Sequence, residues 1–229
     1  MSLRFPIALV LSIVCFAVPA WADSQAGVDA YTHGDYATAL REWQPIAEQG
    51  DAAAQYYLGV LYEKGRGVPQ DYTQARQWWE KAAVQGDPNA QFYLGTLYNF
   101  GRGGLQDYAA ARQWWEKAAV QGHAKAQFNL GVLYDSGQGV SQDHAIARHW
   151  YEKAAAQRVA KAQFYLGLQS AYGRGVPQDL VQAHMWYSLA AENGYEIATG
   201  YRDDLAQQMT PTQIAEAQKL AREWKPFQK

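Results

Sequence analysis

Histidine is the side chain best suited to metal binding and to proton transfer near neutral pH, and the chain has five. They are His33, His123, His144, His149 and His184. No two are four residues apart, the spacing of the zinc-binding HExxH motif. His144 and His149 are five apart, which directs them to different faces of a helix. We therefore predict no metal site.

Other catalytic arrangements are equally weak. The sequence has no G-x-S-x-G nucleophile motif and no phosphate-binding G-x-x-x-x-G-K segment. Asp203 and Asp204 are adjacent, so on a helix their carboxylates diverge. No base is placed beside Ser170 by the sequence pattern. We predict that the protein is not an enzyme and uses no cofactor.

Charge and cysteine content exclude two further classes. The chain has 20 Lys and Arg against 22 Asp and Glu, a net charge of -2, whereas nucleic-acid-binding proteins usually carry a basic excess. The single cysteine, Cys15, excludes an intrachain disulfide framework and a thiolate zinc site. We expect a protein partner and no nucleic acid.

The N-terminus is typical of a secretory signal peptide over residues 1–22. Arg4 supplies the positive charge, residues 7–18 are almost all apolar, and Ala20-Trp21-Ala22 is an A-x-A cleavage site. A membrane anchor is the alternative, but the apolar run falls well short of the roughly 20 residues that span a bilayer. Lipidation at Cys15 is disfavoured by its bulky neighbours. We predict cleavage after Ala22, a periplasmic or secreted protein, and no stable membrane span.

The remaining chain is built from a 36-residue repeat. The motif Ala-Gln-x-x-Leu-Gly recurs at residues 54–59, 90–95, 126–131 and 162–167. The first two full units are identical at 26 of 36 positions, which indicates duplication. We divide the chain into a degenerate unit or cap (23–50), four units (51–86, 87–122, 123–158, 159–194) and C-terminal capping helices (195–229).

Each unit predicts two helices. In the first full unit, Asp51 and Asp71 are suitable N-caps, and Gly65 and Gly86 are suitable helix ends. Alanines and glycines let the helices approach closely, while a large ring fills the space between adjacent units; Trp79, Trp115 and Tyr151 are such rings. One helical pair cannot bury its apolar face alone, so stacked pairs predict an all-α solenoid.

These motifs closely resemble the Sel1-like repeat, a branch of the tetratricopeptide-like helical solenoids. The resemblance implies a right-handed α/α superhelix with a concave face, and an adaptor or scaffold role, in secreted members often at the bacterial envelope. The fourth unit departs from the pattern, because Gln169 and Ser170 replace Leu-Tyr and Arg158 replaces the helix-ending glycine. We expect looser packing there, or a specialised surface.

By analogy with tetratricopeptide arrays, variable columns of the first helices face the concave groove and form the candidate partner-binding site. The candidates are Tyr57, Tyr93, Thr96, Asn99, Phe100, Asn129, Asp135, Tyr165 and Tyr172. Tyrosine with asparagine and threonine is favoured at protein interfaces. The tyrosine column could equally pack against the neighbouring repeat. The sequence predicts a protein-interaction scaffold of the bacterial cell envelope; a peptidoglycan- or glycan-binding solenoid and a cell-wall-associated enzyme are the alternatives.

Overall fold

The computed structural model describes residues 20–226 of the chain. Over this range the structure contains twelve helices and no strand. The helices are α1 Ala20–Thr32, α2 Tyr36–Glu48, α3 Ala52–Lys64, α4 Tyr72–Val84, α5 Pro88–Phe100, α6 Tyr108–Val120, α7 Ala124–Ser136, α8 His144–Ala155, α9 Ala160–Tyr172, α10 Leu180–Glu192, α11 Ile197–Ala206 and α12 Pro211–Glu223. Of the predicted signal peptide, residues 1–19 lie outside the described residues, and the predicted cleavage site falls in the first turn of α1.

Helices pack in the order in which they follow one another. α3 packs on α4, α5 on α6, α7 on α8 and α9 on α10, and each pair contacts the next through α4 with α5, α6 with α7 and α8 with α9. The result is an all-α solenoid of stacked helical pairs, as predicted. We call α3, α5, α7 and α9 the first helices, and the surface they line the groove.

Capping residues set the limits of the helices. Asp51 accepts a hydrogen bond from the Ala54 amide and begins α3. Gly65 ends that helix at φ 64°, a left-handed conformation that costs a residue with a Cβ about 1 kcal/mol or more. At the start of the last helix, Thr210 and Gln213 form a reciprocal capping box.

A buried ring joins each unit to the next, as predicted. The Trp79 ring is fully buried against Gly59 of its own unit, where an added Cβ would lie 2.3 Å from Trp79 Nε1. Its Nε1 donates to the Tyr56 carbonyl at 3.0 Å. On its other side the ring stacks on Tyr93 of the following unit, with ring centres 4.9 Å apart. Aromatic residues make up 14% of the chain, and this repeated packing of rings between units accounts for much of that content.

Buried glutamines form a second link, which explains the Gln of the repeated motif. Gln55 Nε2 donates to the Ala47 carbonyl of the preceding unit at 2.9 Å, and Gln55 Oε1 accepts from Gln85 at 2.8 Å. Gln91 and Gln121 repeat the arrangement one unit later. Each glutamine satisfies a carbonyl near a helix end that burial would otherwise leave unpaired.

The fourth unit is not loosely packed. Gln169 is 1% exposed and donates to Asp135 Oδ1 and to the His144 carbonyl, each at 3.2 Å, so it bonds across to the third unit. Ser170 is also buried. Arg158 adopts the left-handed conformation of the glycine it replaces, at φ 61°. Hydrogen bonding takes the place of the apolar contact that Leu makes in the other units.

His123 makes the stability of the third unit depend on pH. It occupies the N-cap position held by Asp51 and Asp87 elsewhere, and its Nδ1 accepts from the Ala126 amide at 3.2 Å. Burial, with a smaller contribution from Lys125, lowers the pKa of His123 below 6.5. The unfolded chain therefore binds the proton more readily than the folded chain does. This contribution to stability is complete above about pH 6.5 and is lost as the pH falls towards the folded pKa.

We expect the variant His123→Asp to lose less stability than the wild type between about pH 7.5 and 5.5, because aspartate stays ionised as a cap. Urea unfolding at both pH values measures this difference. His184, whose pKa burial also lowers, is present in both proteins and cancels in the comparison. Equal losses of unfolding free energy in the two proteins would contradict this role of His123.

Candidate functional site

The tyrosine column of the first helices packs on the inter-unit rings. Tyr57 stacks on Trp43 with ring centres 4.5 Å apart and planes 8° apart, and Tyr93 stacks on Trp79. Tyr165 lies on Tyr151 at 5.2 Å. These tyrosines are half-buried, so each has both a packing face and a face towards the groove. The sequence left open whether these tyrosines bind a partner or pack against the neighbouring repeat. Packing accounts for one side of each ring.

Asn129 breaks this pattern. The residue fourteen positions after each inter-unit ring is Tyr57, Tyr93, Tyr165 or Tyr201, except after Trp115, where it is Asn129. Trp115 keeps the hydrogen bond of its Nε1 to the Phe92 carbonyl, at 3.0 Å. It is 3% exposed, whereas Trp79 is 0% exposed. The missing ring leaves an opening beside Trp115, which itself remains almost fully buried.

That opening is a pocket of about 300 Å³, which we call the Trp115 pocket. It is lined by Asn99, Phe100, Trp115, Phe128, Asn129, Val132, Leu133, Gln138, Lys161, Tyr165 and Tyr195. Four of the predicted site residues, Asn99, Phe100, Asn129 and Tyr165, are brought together here from α5, α7 and α9. The second and third full units, at the centre of the array, contribute most of the lining.

Phe100 is the most exposed of the predicted residues in this pocket, at 60%. Its ring lies near the Arg102 guanidinium, 5.4 Å from the ring centre, and contributes to none of the buried clusters described. Tyr172 is similarly exposed, at 62%, but lines a different pocket beside Tyr187 and Tyr201.

Three other predicted residues have mainly structural contacts. Asp135 Oδ1 is 2.8 Å from His144 Nδ1 and also accepts from Gln169, so it ties the third unit to the fourth. The Thr96 hydroxyl donates to the Phe92 carbonyl within its own helix at 2.9 Å. Tyr57 lies far along the array and does not reach the Trp115 pocket.

The pocket is aromatic and nearly uncharged. Lys161 is the one charged side chain among its described lining residues, and no carboxylate lines it. Lys161 forms none of the ion pairs found among the described residues. Burial raises the pKa of Tyr165, so its phenol stays neutral and can donate a hydrogen bond. The surface is suited to an apolar group that carries a negative charge at one end.

The candidates predicted from the sequence do not include seven of these lining residues: Trp115, Phe128, Val132, Leu133, Gln138, Lys161 and Tyr195. Phe128 belongs to an aromatic column that recurs as Tyr56, Phe92 and Phe164, which made it resemble core. The signal that could have identified the pocket is the single missing tyrosine at Asn129, in a column where a tyrosine otherwise follows every inter-unit ring by fourteen residues.

Within residues 20–226, no three His, Cys, Asp or Glu side chains are grouped as a metal site would require. No helix in that same part of the chain has the length and apolarity needed to cross a bilayer.

Comparison with known proteins identifies the family. The model described as Sel1 repeat matches four times, at residues 52–87, 88–123, 124–159 and 160–195. The chain belongs to the Sel1 repeat family. Sel1 repeat proteins are generally scaffolds for protein–protein contacts and typically not enzymes. No curated protein sequence matches this chain.

Two solved structures show how closely this Sel1 repeat protein follows its relatives. One is c5321, a protective antigen present in uropathogenic Escherichia coli strains, with 34% identity and a TM-score of 0.80 over 89% of this chain. This chain spans 46% of that protein's length. The other is a Sel1 repeat protein from Oxalobacter formigenes, with 33% identity and a TM-score of 0.77 over 86% of this chain and 84% of the other.

Proposed function

We propose that this Sel1 repeat protein is exported to the bacterial cell envelope and binds a protein partner in its groove, as a non-enzymatic scaffold. The Trp115 pocket carries the proposal, because Phe100 and Asn129 line an open aromatic surface that packing of the repeats does not require. Interface energy is usually concentrated in a few central aromatic residues surrounded by weaker contacts. Phe100 and Tyr165 lie in such a central position.

Export is the first part of the proposal. The apolar run and the A-x-A site at residues 20–22 support cleavage after Ala22. We expect the protein recovered from the periplasm or medium to begin at Asp23, which intact-mass measurement determines. A retained Met1 or a lipid mass on Cys15 would refute this part.

Binding in the groove is the second part. We expect Phe100→Ala to weaken capture of the envelope partner at least about tenfold, or 1.4 kcal/mol, with an unchanged helical circular-dichroism spectrum. Tyr93 is a poorer choice for this test, because it stacks on Trp79 and its loss also disturbs packing. Quantitative pull-down from envelope extract, with dilution of the bait, measures the change.

Val84→Ala is the matched control. Val84 is 74% exposed on the second helix α4, away from the groove, so it tests whether loss of any exposed apolar side chain has the same effect. Equal losses in both variants would show that the groove is not the binding surface. Retention of the protein on purified peptidoglycan with no protein partner would favour the glycan-binding alternative.

A further inference from the structure

The third full unit has Asn129 where the neighbouring units have a tyrosine. This missing ring determines what the Trp115 pocket can accept. In the other units a tyrosine of the following first helix covers the inter-unit ring, at centre distances of 4.5 Å for Tyr57 and 4.9 Å for Tyr93. At Asn129 the amide is too short to cover Trp115 in that way. The place that a tyrosine ring fills elsewhere therefore has no ring, and the small part of Trp115 that is exposed, 3% of the residue, reaches the pocket.

We propose that the Trp115 pocket takes an aromatic side chain of the protein partner, which lies where the third full unit lacks its tyrosine, with an adjacent carboxylate bound by Lys161. This inference rests on the proposed function and names the chemistry of the partner at the same groove. The partner would complete the ring column of the solenoid.

The size of the pocket fits this occupant. A cavity of roughly 150 Å³ is enough to hold benzene. The Trp115 pocket, at about 300 Å³, therefore has room for a phenol or indole ring together with part of its backbone. Aromatic rings favour offset or edge contacts with one another, and Phe128 with the exposed part of Trp115 offers such contacts to a ring in the pocket.

The positive charge of Lys161 favours a carboxylate as the second feature of the bound group. Lys161 lies at the pocket, and none of the described lining residues is acidic. Its ammonium group is therefore free for a carboxylate of the partner, either an acidic side chain beside the aromatic residue or a chain terminus. Tyr165 and Asn99 add neutral hydrogen-bonding groups around it.

The test uses the exported protein and defined probes. The probes are N-acetyl-tyrosine, N-acetyl-tyrosinamide, N-acetyl-leucine and N-acetylglucosamine, and the readout is the ¹⁵N–¹H cross-peak of the Trp115 indole. We expect N-acetyl-tyrosine to shift this cross-peak with an affinity at least about tenfold higher than that of N-acetyl-leucine. We expect Lys161→Gln to weaken N-acetyl-tyrosine several-fold and to leave the amide probe unchanged.

Two variants at Asn129 distinguish the effect of filling the pocket from a general effect of changing this residue. Asn129→Tyr restores the ring of the other repeats, so it should fold with an unchanged or higher melting temperature and lose the tyrosine probe. Asn129→Ser leaves the pocket open and should retain it. Undiminished probe binding by Asn129→Tyr, no shift of the Trp115 cross-peak, or a shift with N-acetylglucosamine alone would each overturn the proposal.

The same variants distinguish this inference from the proposed function. If Asn129→Tyr captures the envelope partner as well as the wild type while Phe100→Ala does not, the groove binds the partner and the aromatic pocket is refuted. If Phe100→Ala also captures the partner normally, binding in the groove itself is refuted.

Discussion

Replacing Trp79 by alanine is expected to lower the free energy of unfolding by about 3–5 kcal/mol. The ring is fully buried between Gly59 of its own unit and Tyr93 of the next, and it donates a hydrogen bond to the Tyr56 carbonyl. The variant would lose the apolar burial, leave that carbonyl without its indole partner and open a cavity between two repeats. Because contacts in a solenoid run only between neighbours, no other part of the array compensates.

Urea unfolding measures this effect, and the melting temperature should fall by roughly 10 °C for a chain of this size. Gln77→Ala on the same helix is the control, since Gln77 is exposed and should cost at most about 0.5 kcal/mol. Similar costs for the two variants would show that Trp79 does not join the repeats.

Removing residues 196–229 is expected to destabilise the last repeat and to cause aggregation. Residues 183–190 of α10 are all buried, because α9 covers one side and α11 and α12 cover the other. Trp186 packs edge-on against Trp224, with ring centres 5.9 Å apart. Each large apolar side chain exposed by the truncation costs about 1.5–3 kcal/mol.

Size-exclusion chromatography with light scattering detects the aggregation. A shorter truncation that removes only residues 225–229 keeps Trp224 and is the control, which should remain monodisperse to the same degree as the full chain. If both truncations behave like the intact chain, α11 and α12 are not a protective cap.

The fold could be predicted because it repeats. A glycine or an aromatic ring that recurs four times at a spacing of 36 residues can be assigned a structural role before its contacts are known. The columns that begin with Gly65 and Trp79 are examples. Within residues 195–229, where the sequence predicts C-terminal capping helices, the structure has the two helices α11 and α12.

The candidate site was predicted only in part, and the reason is physical. Phe100 and Asn129 vary between units and were found as variable columns. Lys161 and Tyr195 reach the same pocket from other units, through the superhelical stacking, and a column-by-column comparison does not place them together. Asp135 also differs from its equivalents in the other units, but for a structural reason. It accepts a hydrogen bond from Gln169, 34 residues later in the chain.

The central claim is that the groove at the Trp115 pocket binds a protein partner, and site-specific photocrosslinking in living cells tests it most directly. A photoreactive phenylalanine analogue placed at Phe100 keeps an aromatic ring at the pocket, and the same analogue at Val84 reports on the second-helix surface. We predict one strong adduct from position 100, containing a peptide with an aromatic residue next to a carboxylate, and none of that mass from position 84. Adducts from position 84 with none from position 100 would contradict the account.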